Sequence, residues 1–242
     1  MREGKRQRDE RERMTFWEHL EEARWSIFRM LAAFLFCLIP AFIFLPWIFE
    51  NLILAAAQEE SLQLINIQIA SQFTTHIRLA VYLALLAAAP YILYEIWRFV
   101  RPALYPNEKK TTRFAFLSGG ILFYIGCAIG IGIIFPLTFH FLANYELSPL
   151  IENQINLNSY IQLFNAVVFC FGICFELPVL IWILGRMGLV NKNGLKKYRR
   201  HAIAAMLILS AIITPSGDPI TLLVVFTPLY LLYELSILFV RK

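Results

Sequence analysis

Hydrophobic residues in this 242-residue chain fall into long unbroken runs rather than the amphipathic periods of a water-soluble fold. Met30 to Phe49 gives 20 residues without a charge, Leu79 to Tyr94 gives 16 and Phe114 to Phe139 gives 26. Tyr160 to Gly185 is interrupted by Glu176 alone, and Ala202 to Ile213 and Ile220 to Val240 flank the turn sequence Thr214-Pro215-Ser216-Gly217-Asp218-Pro219. Runs of about 20 apolar residues match the roughly 30 Å hydrocarbon core of a bilayer. The pattern predicts an all-α, polytopic membrane protein with six transmembrane helices, residues 15–242 forming one domain. Ten of the first 13 residues are charged, with mixed sign, so residues 1–14 are expected to be a disordered, solvated tail. The first run is too long for a secretory-signal core and lacks a small-residue cleavage pattern, so it is expected to stay in the mature protein.

Composition agrees with lipid as the solvent. The chain is 59% hydrophobic and 16% charged, against about 25% charged residues in soluble domains. That excludes a cytosolic enzyme. The net charge of +5 points to topology rather than to nucleic acid. Of 22 Lys and Arg residues, eight lie at or before Arg29, five from Arg98 to Arg113, six from Arg186 to Arg200 and two at the C-terminus, leaving only Arg78 on the other side. Basic residues are retained on the cytoplasmic side. Both termini are therefore expected in the cytoplasm, N-in and C-in.

No cofactor chemistry is visible. Cys37, Cys127, Cys170 and Cys174 lie in apolar stretches, the four His residues are scattered, and no metal-ligand spacing or phosphate-binding loop occurs. Neither metal nor cofactor is expected.

The carboxylates carry more information. Thr15 to Glu18 fits a capping box, starting a helix on which Glu18, Glu22, Trp25 and Arg29 share one face. In the second basic loop, Pro102 and Pro106 restrict the backbone, and Asn107 can cap the next helix with Glu108 in its first turn. There Glu108 complements the helix dipole. A ligand role is equally open on spacing alone. Glu95, Glu176 and Glu234 fall inside spans, 3, 10 and 7 residues before the next basic residue. Glu95 and Glu234 are expected to snorkel to the interface. Glu176, roughly 15 Å by helix rise from Arg186, must be protonated, paired or facing a wet cavity, and such residues are functional by default.

HLEEAR (19–24), YEIWRFVRPALYPNE (94–108), FGICFELP (171–178), and ITPSGDP followed by PLYLLYE stand in order along these spans. With them the chain resembles the TatC family, the polytopic subunit of the twin-arginine protein translocase, from Trp17 to Val240. The resemblance implies a cup-shaped molecule that binds twin-arginine signal peptides of folded cargo on its cytoplasmic face. It further implies nucleated assembly with small single-span subunits of the TatA/TatB type. Glu22 and Glu108 match the family's signal-binding glutamates. Arg24 matches an Arg that orients Glu22, and Phe99, Pro102 and Tyr105 match the loop that shapes the site. Glu176 matches the intramembrane Glu, and Pro46 and Asp218 match positions at the outer ends of spans. The family's Leu before the Arg is Ala23 here. Where the family often carries Gln after the final turn, this chain has Thr221 and Leu222, leaving Ser210, Thr214 and Thr221 as polar candidates for the small partners.

The last two runs are short: Ala202 to Ile213 is 12 residues and Ile220 to Tyr233 is 14, about 18 and 21 Å. The turn between them is expected below the outer membrane surface. Gly126 and Gly130 form a GxxxG, read here as helix packing within the chain, with self-association between copies as the other reading. Two other classes remain as alternatives. A proton-coupled secondary transporter would use Glu176, and a membrane enzyme would need a nucleophile–base or metal cluster that the sequence does not display.

Overall fold

Each hydrophobic run is helical in the computed structural model, which describes residues 16–60, 63–100, 109–145, 148, 153–186, 188–214 and 218–240. α1 (Phe16–Ile48) continues through a π-helical turn (Phe49–Ile53) into the short α2 (Ala55–Glu59), and α3 (Ser71–Val100) returns. α4 (Lys109–Ile129) passes through a second π-helical turn (Gly130–Ile134) into α5 (Phe135–Asn144). α6 (Leu157–Cys174) and α7 (Leu177–Arg186) share the fourth span, and the short α8 (Lys192–Lys197) leads into α9 (Arg199–Ile213) and α10 (Pro219–Phe239). Extended pairing among the described residues is a single parallel bridge between Ile65 and Asn156.

Five stretches among the described residues are long and apolar enough to cross a membrane: Leu20–Glu59, Ser71–Phe99, Ser118–Asn144, Leu157–Arg186 and Pro219–Leu238. The fifth expected span, α9, is helical but has only 15 residues, a rise of about 22 Å. Its partner corrects the expectation of two short arms. α10 is 21 residues long, about 31 Å, because the helix runs on past Glu234. That carboxylate does not end the span or snorkel alone; Arg199 at the start of α9 donates to it at 2.8 Å. The tail, Thr15 and Ser216 lie outside the described residues.

The fourth span is the most buried and the first the most exposed. α1 packs along α3, α4 against α6, and α10 against α7 and α9. Outward apolar side chains such as Phe36 and Trp47, 78% and 68% exposed, would be a defect in water and are ordinary where lipid is the solvent. At the far end from the basic clusters, Phe135 and Phe139 meet the ring of Tyr160 edge to face at 5.2 and 4.9 Å. The Tyr160 hydroxyl donates to the Ile53 carbonyl, fastening the π-helical turn after α1 to the fourth span.

Two prolines explain irregularities in the spans. Pro136 has no amide to offer to the turn before it, and the helix there widens to π geometry. Pro178 likewise removes a donor, so α6 stops at Cys174, and Glu176 instead donates its amide to Ile173 at 3.0 Å before α7 begins. The break in the fourth span therefore falls on Glu176 itself.

Gly126 and Gly130 both face α6. A Cβ at Gly126 would lie 2.6 Å from the Phe171 carbonyl oxygen and 2.8 Å from Phe175 Cβ, and one at Gly130 would lie 3.2 Å from Val168 Cα. The GxxxG thus serves packing within the chain. Gly126→Ala should lower the thermal midpoint of the detergent-purified protein, with an overpacking cost of about 1–3 kcal/mol. Gly132→Ala, which meets nothing within 4 Å, should leave it unchanged. Equal midpoints for the two variants would refute this packing assignment.

Candidate functional site

At the N-terminal end of α1, the side chains of Glu22, Ser26 and Arg29 recur at helical spacing along the face that meets α3. Glu95 of α3 is 1% exposed and receives two parallel bonds from Arg29, Nε to Oε1 at 2.9 Å and Nη2 to Oε2 at 3.0 Å. The Ser26 hydroxyl donates to Oε2 at 3.0 Å and the Tyr91 hydroxyl to Oε1 at 3.2 Å, while Arg98 Nη1 stands 3.9 Å away. Every lone pair of a buried carboxylate needs such partners. Glu95 therefore does not snorkel, as the distance to Arg98 suggested; it is the closed centre of a cluster joining two spans.

Glu22, one turn from Ser26, is half-buried, and its Oε2 is buried without a hydrogen-bond partner among the described residues. Trp25, expected on the same stripe, is instead 54% exposed. Arg24 does not orient Glu22. It pairs with Glu21 at 3.5 Å and lies 5.8 Å over the Trp25 ring. Phe99 is half-buried in the last turn of α3. Pro102, Tyr105, Glu108 and the capping Asn107 lie outside the described residues, and α4 begins immediately after them at Lys109.

Glu176 is half-buried at the α6–α7 break. A Cβ added at Gly119 of α4 would lie 2.8 Å from its Oε2, so the carboxyl rests against glycine backbone. Its Oε1 is buried without a hydrogen-bond partner among the described residues. Such a group can accept a donor from an incoming chain or hold a proton.

At the far end, Pro46 lines a cavity of about 680 Å³ together with Glu50, Gln58, Gln72 and His76. Asp218 caps α10, accepting from the Thr221 amide at 2.7 Å and from its hydroxyl. Ser210 and Thr214 turn their hydroxyls to the carbonyls of Met206 and Ser210, each at 2.8 Å. These hydroxyls and that of Thr221, all buried, serve the hairpin's own helices, contrary to the expectation that they face a partner.

Sequence reasoning passed over a second polar tie: His140 Nδ1 meets Glu60 Oε1, and the Asn144 amide donates to Glu60 Oε2 at 3.0 Å. His140 and Asn144 are one turn apart at the end of an apolar run, the signal that could have marked them. The Arg29–Glu95 pair was also unforeseen, although Arg29 opens the first run and Glu95 closes the second, placing opposite charges at one depth of neighbouring antiparallel spans.

A polytopic, all-helical integral membrane protein is the class that this fold and these buried charge clusters define. The chain matches the family model described as Sec-independent protein translocase protein (TatC) over residues 18–228 and belongs to that family. It is 30% identical to the TatC protein of Blattabacterium sp. subsp. Periplaneta americana, covering 95% of this chain and 96% of the relative. It is 32% identical to that of Deinococcus radiodurans, covering 93% and 85%. A crystal structure of a twin-arginine translocase receptor, TatC, superposes with TM-score 0.80 at 32% identity, covering 92% of this chain and 97% of that one. The chain is thus a protein translocase component, and a small-solute transporter is set aside.

The Asn144 amide and His140 hold the Glu60 carboxyl below its ordinary range. Its stabilising contribution is therefore complete above the unfolded value near 4.5 and is lost as pH falls through the lower folded value. Glu60→Gln should lower the thermal midpoint at neutral pH, and the gap from the parent should close on acidification. A gap that persists in acid would contradict the tie.

Proposed function

We propose that this chain is the signal-receiving subunit of a twin-arginine translocase in a bacterial cytoplasmic membrane, with its basic face in the cytoplasm. It binds signal peptides bearing consecutive arginines through Glu22 and Glu108, with Phe99, Pro102 and Tyr105 shaping the surroundings. It then assembles with small single-span subunits to export folded proteins. The observation that carries this reading is the buried carboxylate oxygen of Glu22 at the basic end of α1, which has no hydrogen-bond partner among the described residues. A carboxylate takes a planar guanidinium in two parallel hydrogen bonds, which an ammonium cannot copy. Two guanidiniums call for two carboxylates, and Glu108 of the adjoining loop supplies the second. The related crystal structure's description as a receptor supports the same assignment.

Glu176 belongs to the later, transport step. By helix rise it stands about 15 Å from Arg186, too deep for first encounter, and its oxygen without a partner among the described residues offers an acceptor to a polar group on an inserting peptide or partner helix.

Glu22→Gln and Glu108→Gln should each weaken binding of an Arg-Arg signal peptide by about 2 to 5 kcal/mol, with far less effect on a Lys-Lys peptide. In membrane vesicles, Glu176→Leu should keep peptide crosslinking and lose export. Equal losses for both peptides would leave only general electrostatics at the basic face. Loss of crosslinking in Glu176→Leu would move that residue to recognition.

A further inference from the structure

A receptor for guanidinium groups faces a problem of its own making: arginines in its own chain can occupy the carboxylates meant for the guest. α1 carries two close to Glu22 in the chain. Arg24 lies two residues on, turned to another side of the helix, and Arg29 lies seven residues on along the same face, about 10 Å by helix rise. Neither is paired with it. Arg24 is engaged by Glu21 at 3.5 Å. Arg29 is turned across to α3, where three of its five N–H donors are engaged: Nε on Glu95 Oε1, and Nη2 on Glu95 Oε2 and on the Ser26 hydroxyl at 3.1 Å. Among the described residues no ion pair reaches Glu22.

The geometry points to Glu95 as a positioning residue that sequesters Arg29 and so keeps Glu22 open for the arginines of an incoming signal peptide. This rests on the receptor reading above and deepens it, since Glu95 touches no peptide itself. Three features suit it to the task. Glu95 is 1% exposed whereas Arg29 is 31% exposed on its side chain, so the carboxylate is the fixed member and the guanidinium the one able to swing. Ser26, between Glu22 and Arg29, donates to Glu95 and accepts from Arg29, bracing the side chain in its turned-away position. Tyr91 donates to the remaining lone pairs of Oε1, so Glu95 holds its place without drawing on Glu22. Arg98, the other cation near the cluster, stands 3.9 Å from the same carboxylate.

The test is a competition read with two peptides and a second-site rescue. Fluorescent signal peptides, identical except for Arg-Arg or Lys-Lys, are titrated onto the full chain purified in detergent. If Glu95→Gln releases Arg29 to occupy Glu22 in most molecules, apparent affinity for the Arg-Arg peptide falls about tenfold, in proportion to the fraction of sites left open. Arg29→Gln/Glu95→Gln removes the competitor with its keeper and should return affinity to within about twofold of the parent. Both variants lack Glu95, so recovery can come only from loss of Arg29. Glu95→Asp retains the buried charge and fold while shortening the grip by one methylene. It should give an intermediate loss, likewise recovered by Arg29→Gln. Parent-like binding by Glu95→Gln and Glu95→Asp, or a double variant as weak as the single, would overturn the inference and leave the receptor reading intact. A parent chain that binds both peptides equally would refute the receptor reading, and this inference with it.

Discussion

Charge in a low-dielectric environment is the constraint on which this structure turns. A lone carboxylate or guanidinium inside a bilayer costs at least about 2.5 to 3.5 kcal/mol, and lipid offers no hydrogen-bond partners in return. The chain meets that cost by pairing charges between spans rather than along one helix. Glu95 of α3 takes Arg29 of α1, and Glu234 of α10 takes Arg199 of α9. Each pair sets the relative height of two helices whose apolar faces alone would slide. Removing one partner of a buried pair costs about 3 to 5 kcal/mol, and the 31% exposure of Arg29 puts its pair toward the lower end.

With those heights set, apolar packing completes the fold around the fourth span. Glycines at 126, 130 and 172 let α4 and α6 approach closely, and Phe135, Phe139, Phe164 and Tyr160 fill the wider space at the far end. Pro178 then breaks the span where a polar residue needs room. The carboxyl of Glu176 emerges against Gly119 instead of being buried between two continuous helices. The same rule governs both polar centres: a carboxylate is either satisfied within the chain, as Glu95 is, or left with an oxygen open among the described residues, as Glu22 and Glu176 are.

Much of this was legible in the sequence. Uncharged runs gave the spans, because in lipid the length of an apolar helix is set by the membrane. Pairing was less legible. Glu95 sits three residues before Arg98 and so suggested a residue reaching outward. Its true partner, Arg29, lies 66 positions away and is found only once α1 and α3 are known to be neighbours. Trp25 misled for a related reason: the periodicity that put it beside Glu22 does not tell which edge of a broad stripe meets the next helix. Hydroxyls were hardest to read. Ser210, Thr214 and Thr221 serve their own helices' backbone or cap, a choice that composition and spacing leave open.

Recognition at the basic end of α1 is the central claim, and site-specific photocrosslinking tests it most directly. A photoreactive residue placed at Leu20, exposed two positions before Glu22, or at Trp47, exposed toward the far end of the same helix, would be irradiated with a labelled Arg-Arg signal peptide. The account predicts an adduct at Leu20 that excess Arg-Arg peptide displaces and Lys-Lys peptide does not, with none at Trp47. Adducts of equal yield at both positions, or equal displacement by the two peptides, would contradict it.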